Sequence, residues 1–321
     1  MNSAGKTVDL SVVILNWNAR PFLVACLDSI LRQNWWHTLE ILVVDNDSRY
    51  DDSVAVVRRD YPDVQLIESG GNIGFSAGNN LGYKRARGRL VLFLNPDTIV
   101  EEGALDTLCD WMDAHPKVGA IGPRMTYPDG ELQASARGFP SFGAGLFRNS
   151  FLGNLWPNNP WSRGYLQTGA SPTRARAVDW LSGSAVLARR EALQQIDRGR
   201  GPWDEDYFMY CEDIDLSYRL MEKGWPRFYV PDATIQHHIG KSSDLAQGKS
   251  IRRHHLAMWL FYRKHYMKGQ GRLLAPLAAL GIGARASLAT LKLLRGYARG
   301  GMLRVVLRRK VGQKGTRSKE Q

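Results

Sequence analysis

The stretch Leu90-Val91-Leu92-Phe93-Leu94-Asn95-Pro96-Asp97-Thr98 limits the possible folds more than any other part of the chain. Five apolar residues, with Arg89 before them and Asn-Pro-Asp after, predict a strand whose two faces both enter a core, as in a parallel sheet covered by helices. Pro96 cannot continue a ladder and drives Asn95 into an extended conformation, so Asp97 is presented just past the strand's carboxyl end. Open α/β sheets bind ligands there. A carboxylate in that place, with no basic neighbour, suits a hard divalent cation that keeps several waters and bridges phosphate oxygens; an Asp-Thr helix cap is the plainer explanation.

The flanking sequence supplies the other strands. Leu10 to Leu15 and Leu39 to Val44 read as buried strands, broken by Asn16-Trp17-Asn18 and by Asp45-Asn46-Asp47-Ser48. A helix opened by Pro21, a second helix ending near Asp60 and a short strand from Val64 to Ile67 complete a β-α-β-α-β order, which implies parallel pairing. The loop Gly70-Gly71-Asn72-Ile73-Gly74 then leads into a helix, where free backbone N–H groups attract anions. Its spacing is neither a Walker loop nor G-x-G-x-x-G. Further on come a helix to His115, a strand from Val118 to Gly122, a hairpin turn at Tyr127-Pro128-Asp129-Gly130 and a long aromatic loop from Gly138 to Pro172. A strand through Val178 to Ala188 and a helix from Arg190 to Ile196 follow, and Tyr229-Val230 with Ala233 to Gln236 reads as a final pair of strands ending at His237-His238.

The segment Glu212-Asp213-Ile214-Asp215 opens a further helix. Acids stabilise a helix start by only about 0.3–1 kcal/mol each, and crowding offsets that gain, so the cluster points to proton transfer rather than to stability.

Charge is unevenly placed. Of the 43 Lys and Arg, 17 lie from Ser250 onward against one of the 31 acids, so the preceding part is slightly acidic and the tail strongly basic. Leu273 to Leu294 is the most apolar run, but Arg285 and Lys292 interrupt it, which favours an amphipathic helix on an anionic membrane surface over a clean span. Cys26, Cys109 and Cys211 have no C-x-x-C spacing, so a disulfide framework is not expected and a reducing compartment is. The first residues lack a signal-peptide pattern.

Four sites thus share the carboxyl edge of one expected sheet, and together they resemble the family 2 glycosyltransferases of the GT-A fold, in particular a rhamnosyltransferase-like branch. The resemblance rests on Ser11 to Asn18, Val43 to Ser48, Asn72-Ile73-Gly74-Phe75 through Asn80, Leu94-Asn95-Pro96-Asp97, Asp206 to Arg219 and His237 through Ser243. It implies an α/β nucleotide-diphospho-sugar transferase with a mostly parallel central sheet over residues 1–248, and a basic amphipathic helical extension over 249–321.

The resemblance also implies roles. Asn95-Pro96-Asp97 stands where the fold usually has Asp-x-Asp, so Asp97, with His237, would bind Mg2+ or Mn2+. Asn16, Asp45, Asn46, Asn72, Gly74, Asn80 and Asn95 would hold the nucleotide-sugar, Trp180, Ser182 and Gly183 would border the acceptor, and Asp213 would be the general base, with Glu212 as substitute. The implied chemistry is a single inverting displacement. The segment from Asp129 to Pro140 looks like one found in dTDP-L-rhamnose users, with another UDP- or GDP-sugar as the alternative donor. The acceptor would be a polyprenyl-diphosphate-linked or polysaccharide hydroxyl in cell-surface glycan synthesis, met by a cytoplasmic protein peripheral to the inner face of the membrane.

Three rival readings fit less of the sequence. A nucleic-acid-binding protein would use the tail's Trp259, Phe261, Tyr262 and Tyr266 but leaves the acids without a purpose, so no nucleic-acid partner is expected. A dinucleotide enzyme would need G-x-G-x-x-G where Asn16-Trp17-Asn18 stands. An inactive glycan-binding relative would not need Asp97, Asp213 and His237 together.

Overall fold

The computed structural model describes residues 7–141, 143–144, 151–167, 171–238 and 247–316. The chain divides into two compact units, Met1–Ser242 and Ser243–Gln321.

The first unit is built on strands β1 (Leu10–Asn16), β2 (Leu39–Asp45), β3 (Gln65–Glu68), β4 (Leu90–Leu94), β5 (Thr98–Val100), β6 (Ala120–Thr126), β7 (Ala136–Arg137), β8 (Arg176–Ala177), β9 (Trp180–Leu181), β10 (Ala185–Arg189) and β11 (Arg227–His237). Its helices are α1 (Arg20–Leu31), α2 (Ser53–Asp60), α3 (Phe75–Arg85), α4 (Ala104–Ala114), α5 (Phe151–Leu155), α6 (Pro160–Leu166), α7 (Arg190–Ile196) and α8 (Glu212–Glu222). The main sheet runs β3-β2-β1-β4-β10-β6-β11-β5, with β8 on β11, while β7 and β9 form a separate two-stranded sheet. All five residues of β4 are buried, as the apolar run predicts. Two cores result, one on each face of the sheet: Leu23, Leu27 and Leu105 pack on one side, Tyr83, Trp203 and Leu216 on the other.

The expected α/β architecture is present, and the sheet is parallel through β3, β2, β1 and β4. Beyond β4 it is mixed. The expected strand from Val178 to Ala188 divides, because β9 lies in the small sheet and the chain turns at Ser182–Ser184 before entering the main one. Entering beside the carboxyl end of β4, with Ala185 opposite Leu94, β10 has to run antiparallel; only a crossover helix would have reversed it.

Two further readings change. The expected final pair of strands is one strand, β11, whose register shifts between Val230 and Thr234, where Pro231 interrupts the ladder. Thr98 to Val100, part of the loop expected after β4, forms β5 and pairs antiparallel with the end of β11. The long segment after Gly138 contains α5 and α6 rather than loop alone.

In the second unit α9 (Gln247–Phe261) continues through one π-helical turn, Tyr262–Tyr266, and is followed by α10 (Gln270–Thr316). The expected boundary after residue 248 falls in the first turn of α9. From Gly271 to Arg295, α10 is long and apolar enough to cross a membrane by length and composition, despite Arg285 and Lys292. Leu273, Leu277, Leu280, Leu288 and Leu291 recur at helical spacing along one exposed stripe, whereas Ala275 and Ala278 are buried.

Candidate active site

The carboxyl ends of β1 and β2 form the floor of the site. Parallel register sets Asn16 opposite Asp45, and Asn16 Nδ2 donates to Asp45 Oδ1 at 3.2 Å and to Ser48 Oγ at 3.1 Å. The Asn16 side-chain oxygen is buried without a hydrogen-bond partner among the described residues. Asn46 reaches across to the glycine loop: its Oδ1 accepts from Ile73 N at 2.9 Å, and its Nδ2 donates to Asn72 Oδ1 at 3.3 Å. Gly74 has φ +87°, and a Cβ there would lie 2.6 Å from the Phe208 carbonyl oxygen, so only glycine fits this turn. Asn16, Asp45, Asn46, Asn72 and Gly74 therefore belong to one network at the sheet edge. Asn18 and Asp47, in the loops after β1 and β2, adopt left-handed φ of 50° and 68°.

The next strand along carries Asp97. Because β5 pairs with β11, Thr98 lies opposite His237, and this register brings His237 Nε2 to 3.3 Å from Asp97 Oδ1, with both side chains about 90% buried. The Gln133 amide donates to Thr126 O and to His237 O, at 3.2 and 2.7 Å, leaving its Oε1 facing His237 Nδ1 at 3.0 Å. Nδ1 then donates to Gln133 Oε1, and Nε2 faces the Asp97 carboxylate. An imidazole nitrogen and a carboxylate oxygen brought together are ligand types that could hold a divalent cation. Among the described residues there is no group of three or more His, Cys, Asp or Glu able to hold a metal, so the protein offers a partial set. Gln133, which selects the tautomer, has no signature in sequence.

The third part is the start of α8. Tyr210 and Cys211 take left-handed φ of 76° and 63°, each costing about 1–3 kcal/mol in a residue with a side chain. That strain delivers Glu212 and Asp213 into the interior. Burial pushes the Glu212 carboxyl well above its usual range, Asp213 adds to the effect, and Glu212 Oε2 has no partner among the described residues. Burial also raises Asp213, but Gly183 N donates to its Oδ2 at 3.2 Å and Ile214 N to its Oδ1 at 2.8 Å, and both favour the ionised form. The two acids therefore differ: Glu212 is pushed well toward its protonated form, whereas Asp213 has backbone donors that favour its ionised form. Asp215, expected in the same crowd, forms a buried ion pair with Arg219 at 2.7 Å, and Arg219 also ties down the carbonyls of Ile196 and Pro202.

The remaining candidates act from behind these groups. Asn95 N donates to Ser184 O at 2.9 Å, joining the Asp97 loop to the Ser182–Ser184 turn whose Gly183 holds Asp213. Ser182 Oγ lies 3.1 Å from Ser184 Oγ. Trp180 is buried, with its Nε1 donating to Gly138 O at 2.8 Å, so it supports the turn rather than lining open space. Asn80, expected beside the nucleotide, is fully buried; its amide donates to Trp203 O and Glu205 Oε1 and accepts from Trp203 N. It anchors the loop that carries the acids.

Residues 11–196 match the family model of Glycosyl transferase family 2. The chain belongs to that family. This family 2 glycosyltransferase is 35% identical over 264 residues to N-acetylglucosaminyl-diphospho-decaprenol L-rhamnosyltransferase of Mycobacterium tuberculosis, with 78% of this chain and 83% of the relative covered. It is 27% identical over 234 residues to Rhamnosyltransferase WbbL of Escherichia coli, covering 66% and 83% of the two chains. Among solved structures, the mannosyltransferase PcManGT from Pyrobaculum calidifontis in complex with GDP-Man and Mn2+ aligns at 19% identity and TM-score 0.55, covering 92% of this transferase and 81% of that chain. That likeness establishes the GT-A fold.

Proposed function

We propose that this enzyme transfers L-rhamnose from dTDP-L-rhamnose, with inversion, to a hydroxyl of a polyprenyl-diphosphate-linked acceptor during synthesis of a cell-surface glycan. The observation that carries the reading is the coupling of two carboxylate sites across one sheet edge. Asp97 lies against His237, and Asp213 sits on the turn to which the Asp97 loop is hydrogen-bonded. The relatives' names supply the sugar and the lipid carrier.

In this reading Asp45, Asn46 and the orphaned oxygen of Asn16 hold the nucleotide base, while Asn72 and Gly74 border its ribose and diphosphate. Asp97 and His237 would hold Mg2+ or Mn2+, which would supply positive charge to the departing diphosphate. Asp213 takes the proton from the acceptor hydroxyl as that oxygen bonds to the anomeric carbon, and the bond from that carbon to the nucleotide diphosphate breaks with its electron pair on the diphosphate. Attack opposite the leaving group inverts the configuration. Neutral Glu212 keeps a second negative charge away from the incoming hydroxyl. Because Asp213 must be ionised, turnover falls as pH drops through its raised pKa. The exposed leucine stripe of α10 and the basic residues beside it support placement on the cytoplasmic face of an anionic membrane, where such an acceptor resides.

The test is a transfer assay with dTDP-, UDP- and GDP-sugars and a short-chain polyprenyl-diphosphate-linked N-acetylglucosamine, with Mn2+ or with chelator. Metal-dependent rhamnosyl transfer from dTDP-L-rhamnose alone is the expected outcome. Transfer from a UDP- or GDP-sugar instead would replace the donor, and undiminished transfer in chelator would remove the metal.

A further inference from the structure

Arg137 is a guanidinium with no carboxylate partner among the described residues, although it sits beside the acids of the active site. Its strand, β7, pairs with β9 so that Arg137 lies opposite Trp180, and the chain runs from there into the Ser182–Gly183 turn that holds Asp213. The guanidinium carbon is 5.6 Å from the Trp180 ring centre and 5.8 Å from that of Tyr165, and Nε donates to Ala134 O at 3.2 Å. Aromatic faces and one carbonyl therefore fix the group in place and leave its two terminal nitrogens uncommitted among the described residues. Its charge is felt at Asp213, where it favours the carboxylate.

We infer that Arg137 anchors an anion subsite that grips the diphosphate of the acceptor and so presents the acceptor hydroxyl to Asp213. The inference rests on the proposed lipid-diphosphate acceptor. A planar fork held against aromatic rings suits bidentate recognition of phosphate oxygens, and a charge set beside a general base is useful when it also locates the substrate. Arg137 is in this sense a positioning residue, since the reacting atoms meet Asp213. The donor's own diphosphate is the other possible source of the same chemistry, and the test separates the two.

With the full-length protein held in saturating dTDP, so that the donor subsite is filled, binding of farnesyl diphosphate and of farnesol is measured by calorimetry for wild type, Arg137→Gln and Arg137→Lys. The expected result is a loss of at least about tenfold in farnesyl diphosphate affinity for Arg137→Gln, a smaller loss for Arg137→Lys, and no change for farnesol. In turnover assays the same variant should raise KM for a diphosphate-linked N-acetylglucosamine and leave KM for its octyl glycoside and for the donor within about twofold. Equal loss for both acceptors, a raised donor KM, or unchanged farnesyl diphosphate binding would each overturn the inference. A wild type that binds farnesyl diphosphate through Arg137 yet transfers no rhamnose would refute the proposed donor while upholding this subsite.

Discussion

The two edges of the main sheet treat their carboxylates in opposite ways. At the amino edge Asp9 accepts from Thr38 Oγ1, from Thr38 N and from Arg89, and these bonds, led by Thr38, bring its pKa down to about 2 against the opposing effect of burial. Glu40 is partly buried, but Ser11 and both the backbone and side chain of Arg87 outweigh that cost. Asp113 is held low by Arg89. At the carboxyl edge Glu212 is raised and has an oxygen unpartnered among the described residues, Asn16 has a second, and Asp97 faces His237 Nε2. Saturated acids contribute stability and leave nothing for a ligand. Unsaturated ones cost stability and leave their bonding capacity open to a ligand.

The contrast can be broken by substitution. The largest effect is expected for Asp213→Asn, which should cut kcat by about 10²–10⁴-fold while the affinity for nucleotide, read by thermal shift, hardly changes. Intact turnover would mean that the proton leaves by another route. Next in size is Gln133→Leu, which frees the His237 tautomer and should weaken Mn2+ affinity by about 10–100-fold, as loss of a group that orients a ligand usually does. Metal titration followed by activity reads this directly.

The smallest effects concern stability, and their signs are opposite at the two edges. Glu212 has a raised pKa, so the native state binds more protons than the unfolded one and this stabilisation is lost as pH rises. Glu212→Gln should therefore melt higher than wild type at pH 8, with the gap closing toward pH 4. Asp9 has a lowered pKa, so its contribution is present at neutral pH and is lost as pH falls from its ordinary value of 3.8 toward about 2. Asp9→Asn should cost about 1 kcal/mol at pH 7, measured by urea unfolding, and clearly less near pH 2. The same sign for both variants would erase the contrast.

Much of this layout was legible in the residue pattern. The buried runs ending at Asn16, Asp45 and Leu94 appear as β1, β2 and β4, and the acids do begin α8. What escaped was the pairing that gives those positions their chemistry. Strand β5 is only three residues long and has no period to detect, yet its pairing with β11 is what brings Asp97 to His237. The left-handed backbone at Tyr210 and Cys211 is equally invisible, since neither residue type favours that conformation.

Apolar period, glycine and proline placement and charge distribution by themselves determined the α/β class, the sheet edge that carries the candidate residues and the basic character of the tail, because each acts over a few neighbouring residues. Only the tertiary structure decided which polar atoms at that edge stay unpaired. Gln133 meets His237 across 104 positions, Asn80 meets Trp203 across 123, and Gly183 meets Asp213 across 30. Hydrogen-bond satisfaction depends on what folding brings within about 3 Å, and local sequence carries no record of that.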